Sequence, residues 1–224
     1  MVSNIKKVSA LRKTLSASRM TNYDAAAGTQ EIAIELYAWN AEVSSAFLFP
    51  LHVCEVVVRN AVAECFEIKY GSNWPWVTSF ERSLNNRLKE DLSRAKDSVG
   101  NTKKTGKVIA ELNFFFWQSI FTRSHDFRIW NQYLLTAFPN LDNKNPIPPQ
   151  REGIYQVLDE LRHLRNRIAH HEPIFKRDLL EDYKKIKNLI ALRCEITANW
   201  LDEKQNVKTI IEKKPNILQK ENNS

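Results

Sequence analysis

The sequence predicts an all-α fold, and three observations carry that prediction. Glycine is scarce, with 5 among 224 residues, and the 8 prolines gather in a few places, so long stretches are free of helix breakers. Apolar residues recur at spacings of three and four through most of the chain, the period of a helix with one buried face. Hydrophobic content of 43% with 10% aromatics is that of a globular chain, and the length is enough for one domain with a real core, or a domain plus a tail.

Met1 to Met20 reads as a polar lead-in with a short helix around Val8–Leu15, followed by Ser16, Ser18 and Thr21 as cap and turn residues. Gln30 to Phe49 is an amphipathic helix that Thr29 caps, with Asn40 in its middle where helix propensity gains nothing. Phe49-Pro50 reads as a break, with Pro50 in the first turn of a second helix. That helix, Leu51 to Lys69, is apolar almost all round and so central to its bundle. Its β-branched residues also suit a strand, but its length and the interspersed Glu55, Arg59 and Glu64 favour helix. Glu55 and Arg59, four apart in the favourable order, are expected to form a supporting ion pair.

Gly71 is expected to close that helix, and Trp74 and Trp76 to pin the next loop to the bundle. Phe80–Ser98 reads as a solvent-facing helix, and Val99–Lys107 as a lysine-bearing loop. The aromatic stretch from Lys107 to Phe121 is core or a dimer seam. His125 reads as structural, Trp130–Phe138 as a short helix and Pro139–Pro149 as an irregular connector. Arg177 to Trp200 is the last helix, and Glu203–Ser224 a loosely attached polar tail. The expected organisation is a lead-in over 1–28, one helical domain over 29–202 and a tail over 203–224.

Between connector and last helix lies the stretch that concentrates chemistry, Leu158-Asp-Glu-Leu-Arg-His-Leu-Arg-Asn-Arg-Ile-Ala-His-His-Glu-Pro173. Val157, Leu161, Leu164 and Ile168 hold one apolar helix face, while Asn166 and His170 stand one above the other on another side. Arg165 falls near the border of the apolar arc, where a charge must snorkel or find a partner. Pro173 should end the helix at about His171.

Arg165-Asn-Arg-Ile-Ala-His170 reads as Arg-Asn-x-x-x-His, and this RxxxxH pattern resembles the signature of the HEPN superfamily. The longer string Leu161–Pro173 is similar to the C-terminal motif of its Abi-like branch, the Abi_2 (AbiD/AbiF-type) abortive-infection proteins. Leu15-Ser-Ala-Ser-Arg-Met-Thr-Asn-Tyr23, Tyr37–Asn40 and Glu55–Ala61 also look Abi-like. The resemblance implies a HEPN-like helical bundle with additional helices, a homodimer whose two motif helices face each other, and metal-independent endoribonuclease activity in phage defence, abortive infection or toxin–antitoxin systems.

The residues permit that chemistry. Histidine exchanges protons near neutral pH, and arginine holds phosphate oxygens bidentately and stabilises their developing charge. His170 as acid/base and Arg165 on the phosphate form the minimum pair for attack by an RNA 2′-hydroxyl, with Asn166 orienting His170 or a phosphate. Arg162, His163, Arg167 and His171 are weaker candidates for substrate positioning. Arg165 and His170 stand about 140° apart on an ideal helix, so they converge only if the helix unwinds near His170 or a second chain completes the site. The bland reading gives Arg165 a structural partner and His170 a capping role. The alternative function is a non-catalytic helical module that binds RNA or a protein partner of a defence system, with Phe114–Trp117 as an interface.

Composition narrows the partners. Lys+Arg 33 against Asp+Glu 26 gives a net charge of +7, which suits RNA and ordinary solubility. The cysteines Cys54, Cys65 and Cys194 form no CxxC, and a reduced, cytoplasmic setting is expected. No apolar run is expected to span a membrane, and no signal-peptide core follows Lys6 and Lys7. His163 and His170 lack a cysteine pair for zinc, and no Gly-rich phosphate loop or G-x-S-x-G occurs. No cofactor is expected.

Overall fold

The computed structural model describes residues 4–100 and 103–217. The fold is all-α, 79% helical and without strands among the described residues. Among the described residues twelve α-helices follow one another: α1 (Asn4–Leu15), α2 (Ala17–Asp24), α3 (Gln30–Tyr70), α4 (Thr78–Ser83), α5 (Asn86–Val99), α6 (Thr105–Glu111), α7 (Phe114–Ser119), α8 (Asn131–Ala137), α9 (Ile147–Ala169), α10 (Leu179–Arg193), α11 (Glu195–Lys204) and α12 (Val207–Glu212). The chain forms two compact units.

The first unit comprises residues 1–49, 164–183 and 205–224. Its core gathers Tyr23, Leu36, Trp39, Phe47, Ile174 and Phe175, all buried. Tyr23 meets Tyr37 edge-on at 5.2 Å and Phe175 at 5.3 Å between ring centroids, geometries that add to simple area burial. Arg12 donates to both carboxylate oxygens of Asp24, at 2.5 and 2.9 Å, fixing α1 to the end of α2. The Trp39 indole N–H donates to the Ile210 carbonyl at 2.7 Å. That bond, with Val207 and Ile210 buried, seats α12 in a region that reads from sequence as loose tail.

The second unit comprises residues 50–163 and 184–204. Phe66, Trp74 and Phe80 form a triangle of rings 4.7–4.9 Å apart, so Trp74 does pin its loop to the core. The aromatic stretch also resolves as core: Phe114, Phe116 and Trp117 are buried. Phe115 is half-buried and lies under the Arg87 guanidinium at 3.7 Å. This leaves little of Phe114–Trp117 for a partner. His125 is buried, and burial together with Arg128 pushes its pKa down to about 4 against the opposing pull of Asp126.

Several boundaries differ from the sequence reading. The break expected at Pro50 is absent, and α3 runs through it for 41 residues. A proline inside a helix forfeits one hydrogen bond at a cost of ~3 kcal/mol, and the apolar burial on both sides of Pro50 outweighs that cost. By length and composition α3 is apolar enough to cross a bilayer, contrary to expectation, yet 44% of its most apolar window is buried inside the fold, as befits a core helix. The helix expected over Phe80–Ser98 splits at Asn85, whose side chain accepts from the Leu88 N–H at 3.0 Å. Asn113 likewise starts α7 by capping Phe116 at 2.9 Å, because Asn competes with the helix for backbone donors. Cys194 interrupts the last long helix. The Glu55–Arg59 ion pair does not form among the described residues: both side chains are half-buried, and the Arg59 Nε is buried without a partner. Spacing permits such a pair but is worth only ~0.3–0.5 kcal/mol, too little to dictate it.

Candidate functional site

The C-terminal end of α9 is built by a complete helix-stop motif. The His171 N–H donates to the Ile168 carbonyl at 3.0 Å, and the Glu172 N–H reaches back to the Arg167 carbonyl at 2.8 Å. These are the two bonds of a Schellman cap, whose left-handed position is normally glycine. Here it is His171, at φ 55°. The helix therefore ends at Ala169, with His170 as the capping residue and its N–H still bonded to the Asn166 carbonyl at 2.9 Å. Unwinding begins after His170, so it does not bring Arg165 and His170 together.

A non-glycine residue held left-handed costs about 1–2 kcal/mol. The surroundings over-determine it. Arg19, from α2, donates to the His171 carbonyl at 2.8 Å. Arg167 donates to the Pro173 carbonyl at 2.6 Å and pairs with Glu172 at 3.5 Å. The Asn40 Oδ1 accepts from the Ile174 and Phe175 N–H groups at 2.8 and 3.2 Å. Replacing His171 with glycine is expected to raise stability by up to about 1 kcal/mol, net of glycine's extra chain entropy. Thermal melts check this, and valine at the same position should lower the midpoint.

The basic residues of α9 separate into two groups. Arg162 donates to Gln118 at 2.7 Å and to Asp159 at 2.8 Å, and it also touches the His163 ring nitrogen at 3.2 Å. His163 is exposed, with its Nε2 3.5 Å from Asp159. The Arg162 hydrogen bond, with a second from Gln118, holds the Asp159 carboxyl below its ordinary pKa against the effect of burial. Arg167 is spent on the turn. Arg165 and His170, by contrast, are exposed, and neither side chain has a hydrogen bond or ion pair among the described residues. Arg165 thus points to solvent rather than along the border of the core. Asn166 is half-buried. Its side chain makes no hydrogen bond to His170, so the orienting role expected of it is not built within one chain; the link between them is main-chain only.

Three residues outside the motif shape this end of the helix: Arg19, Tyr23 and Asn40. Asn40 carried a signal, being a polar residue in the middle of an apolar helix. Arg19 and Tyr23 lie within the N-terminal segment noted for its resemblance, but nothing local reveals that Arg19 meets a residue 152 positions away. Beside the turn, Tyr23, Tyr37, Asn40, Ser44, Ile168 and His171 line a cavity of about 340 Å³. Among the described residues no set of three His, Cys, Asp or Glu side chains is arranged to hold a metal ion.

Comparison of the chain with protein-family models, with curated proteins and with solved structures finds no match.

Proposed function

We propose that this chain is a metal-independent endoribonuclease of the HEPN RxxxxH type, acting in phage defence or as a toxin. The observation that supports it is the division along α9: Arg162 and Arg167 are held by neighbours, whereas Arg165 and His170 stand exposed with no partner among the described residues. An exposed guanidinium on the last turns of α9 and an exposed imidazole at its braced end suit a phosphate ligand shared between two chains.

In this reading His170 takes the proton from the 2′-hydroxyl. The 2′-oxygen attacks the adjacent phosphorus, the bond to the 5′-oxygen breaks, and the protonated His170 returns that proton to the leaving oxygen. Arg165 stabilises the charge that builds on the non-bridging oxygens. The products are a 2′,3′-cyclic phosphate and a 5′-hydroxyl. Since α9 stays helical through the His170 N–H, the two groups of one chain face different ways, and the scissile phosphate sits between two motif helices of a homodimer. Asn166 then serves the phosphate or the second chain's histidine.

The test is direct. Purified protein incubated with RNA in EDTA should cut it and leave cyclic phosphate ends. Salt-sensitive binding without cleavage would instead establish the non-catalytic reading, which the separation of Arg165 and His170 within one chain favours.

A further inference from the structure

The second unit carries a cationic cleft that lies outside the motif helix. Lys69, Tyr70, Thr78, Ser79, Arg82 and Arg128 line an open cavity of about 680 Å³, and all six belong to that unit. The three cations come from three separate elements: the last turn of α3, α4, and the π-helical turn Asp126–Trp130. They are therefore not the solvated face of one helix. All three residues are exposed, and none of their side chains makes a hydrogen bond or ion pair among the described residues. No carboxylate lines the cleft. Glu81, beside Arg82, pairs with Lys96 at 3.2 Å, and Asp126 accepts from Arg151 at 2.8 and 3.0 Å. Like charges gathered without a counter-charge repel one another, and an anion in the cleft relieves that repulsion.

Tyr70 marks where the cations gather. Its half-buried ring packs against Phe80 at 5.4 Å, and the Lys69 Nζ stands 5.6 Å from its centre. Burial raises the Tyr70 pKa, while a hydrogen bond with Ser83 and the charge of Arg128 oppose that rise. Lys69 and Arg128 thus both lie within electrostatic reach of one ring.

Phe127 stands next to Arg128 and is 91% exposed. A lone exposed apolar side chain needs no ligand to explain it. Phe127 differs because the turn that carries it is braced at both ends. Arg151 holds Asp126. At the other end the Trp130 indole N–H donates to the Ile120 carbonyl at 2.6 Å, and its ring stacks on Phe121 at 4.3 Å. Turns of π-helix are rare and recur at functional sites. A cationic groove with an aromatic ring at its side is the arrangement that holds single-stranded nucleic acid, cations following the phosphates and the ring taking a base.

We propose that this cleft is a second contact for single-stranded RNA, in which Lys69, Arg82 and Arg128 hold backbone phosphates and Phe127 stacks on a neighbouring base. The proposal rests on RNA being the ligand, as the ribonuclease reading has it, and extends that reading to a surface of the second unit. The arginines suit phosphate because their planar forks bond two oxygens at once, and the exposed Thr78 and Ser79 hydroxyls add donors. Neither phosphate contacts nor stacking read a base edge, so the contact is indifferent to sequence.

The test uses full-length protein and a 2′-O-methyl dodecamer of mixed sequence, which cannot be cut, with fluorescence anisotropy over a range of salt. The double variant Arg82→Gln/Arg128→Gln loses two phosphate contacts. Its plot of log affinity against log salt should be shallower by about 1.4, at about 0.7 per phosphate of a single strand. Lys144→Gln/Lys204→Gln removes the same charge from exposed positions of the second unit outside the cleft, and it should bind as wild type does. Phe127→Ala should weaken binding about fivefold or more, the value of one base stacked on an aromatic ring, and Phe127→Tyr should retain it. All these side chains are exposed, so the melting temperatures should stay together. An arginine variant that binds like the lysine control, or a Phe127→Ala protein of wild-type affinity, overturns the contact and leaves the ribonuclease reading intact. Loss of binding to phosphatidylserine vesicles in Phe127→Ala, with RNA affinity unchanged, overturns it in favour of a membrane surface. A wild type that binds no RNA overturns both.

Discussion

Replacing His170 with alanine is expected to lower RNA cleavage by about 10²–10⁴-fold, the usual contribution of one positioned proton-transfer group. Arg165→Ala should cost a comparable factor by removing charge stabilisation at the phosphate. Both side chains are exposed and unpartnered among the described residues, so neither substitution should move the melting temperature by more than a degree or two. That combination of lost activity and unchanged stability distinguishes a catalytic role from a structural one. Arg162→Ala is the useful contrast: it removes bonds to Gln118 and Asp159, so it should lower stability as well. Arg165→Lys keeps the charge but loses the planar fork, and it should recover only part of the activity. Initial rates on a defined RNA, with melts of each variant, measure all four.

Asn40→Ala is expected to produce the largest loss of stability among single substitutions near the site, about 2–5 kcal/mol. Its Oδ1 is the shared acceptor for the Ile174 and Phe175 N–H groups, both on buried residues. Removing it strands two buried donors, each costing about 1–3 kcal/mol. For a chain of this size that corresponds to a drop of roughly 5–15 °C in Tm. Glu42, exposed two residues further along the same helix, provides the control, and Glu42→Ala should change stability by less than about 0.5 kcal/mol. Asn40 holds the segment that follows the His170–His171 turn, so the same substitution should also slow cleavage.

Periodicity made the helical class and the motif helix legible, because a repeat of 3.6 residues is written locally. It made Gly71 legible as a cap, at φ 87° with its N–H on the Glu67 carbonyl at 2.8 Å. The continuity of α3 through Pro50 was not legible, since a local rule for proline says nothing of the tertiary burial that overrides it. The partners of the motif arginines were hidden for the same reason: Gln118 lies 44 residues from Arg162. The density of Arg, Asn and His singles out this stretch on sequence alone. Only the three-dimensional arrangement separates Arg162 and Arg167, which have side-chain partners, from Arg165, which is exposed.

The central claim is that Arg165 of one subunit and His170 of another serve the same phosphate. Mixing inactive Arg165→Ala and His170→Ala proteins under conditions that exchange subunits tests it most directly. Half of a randomly assorted population is heterodimer, and each heterodimer has one composite site with both groups intact, so activity should return to about a quarter of wild type. A mixture that stays as inactive as its two components, while wild type cleaves RNA under the same conditions, would contradict the account.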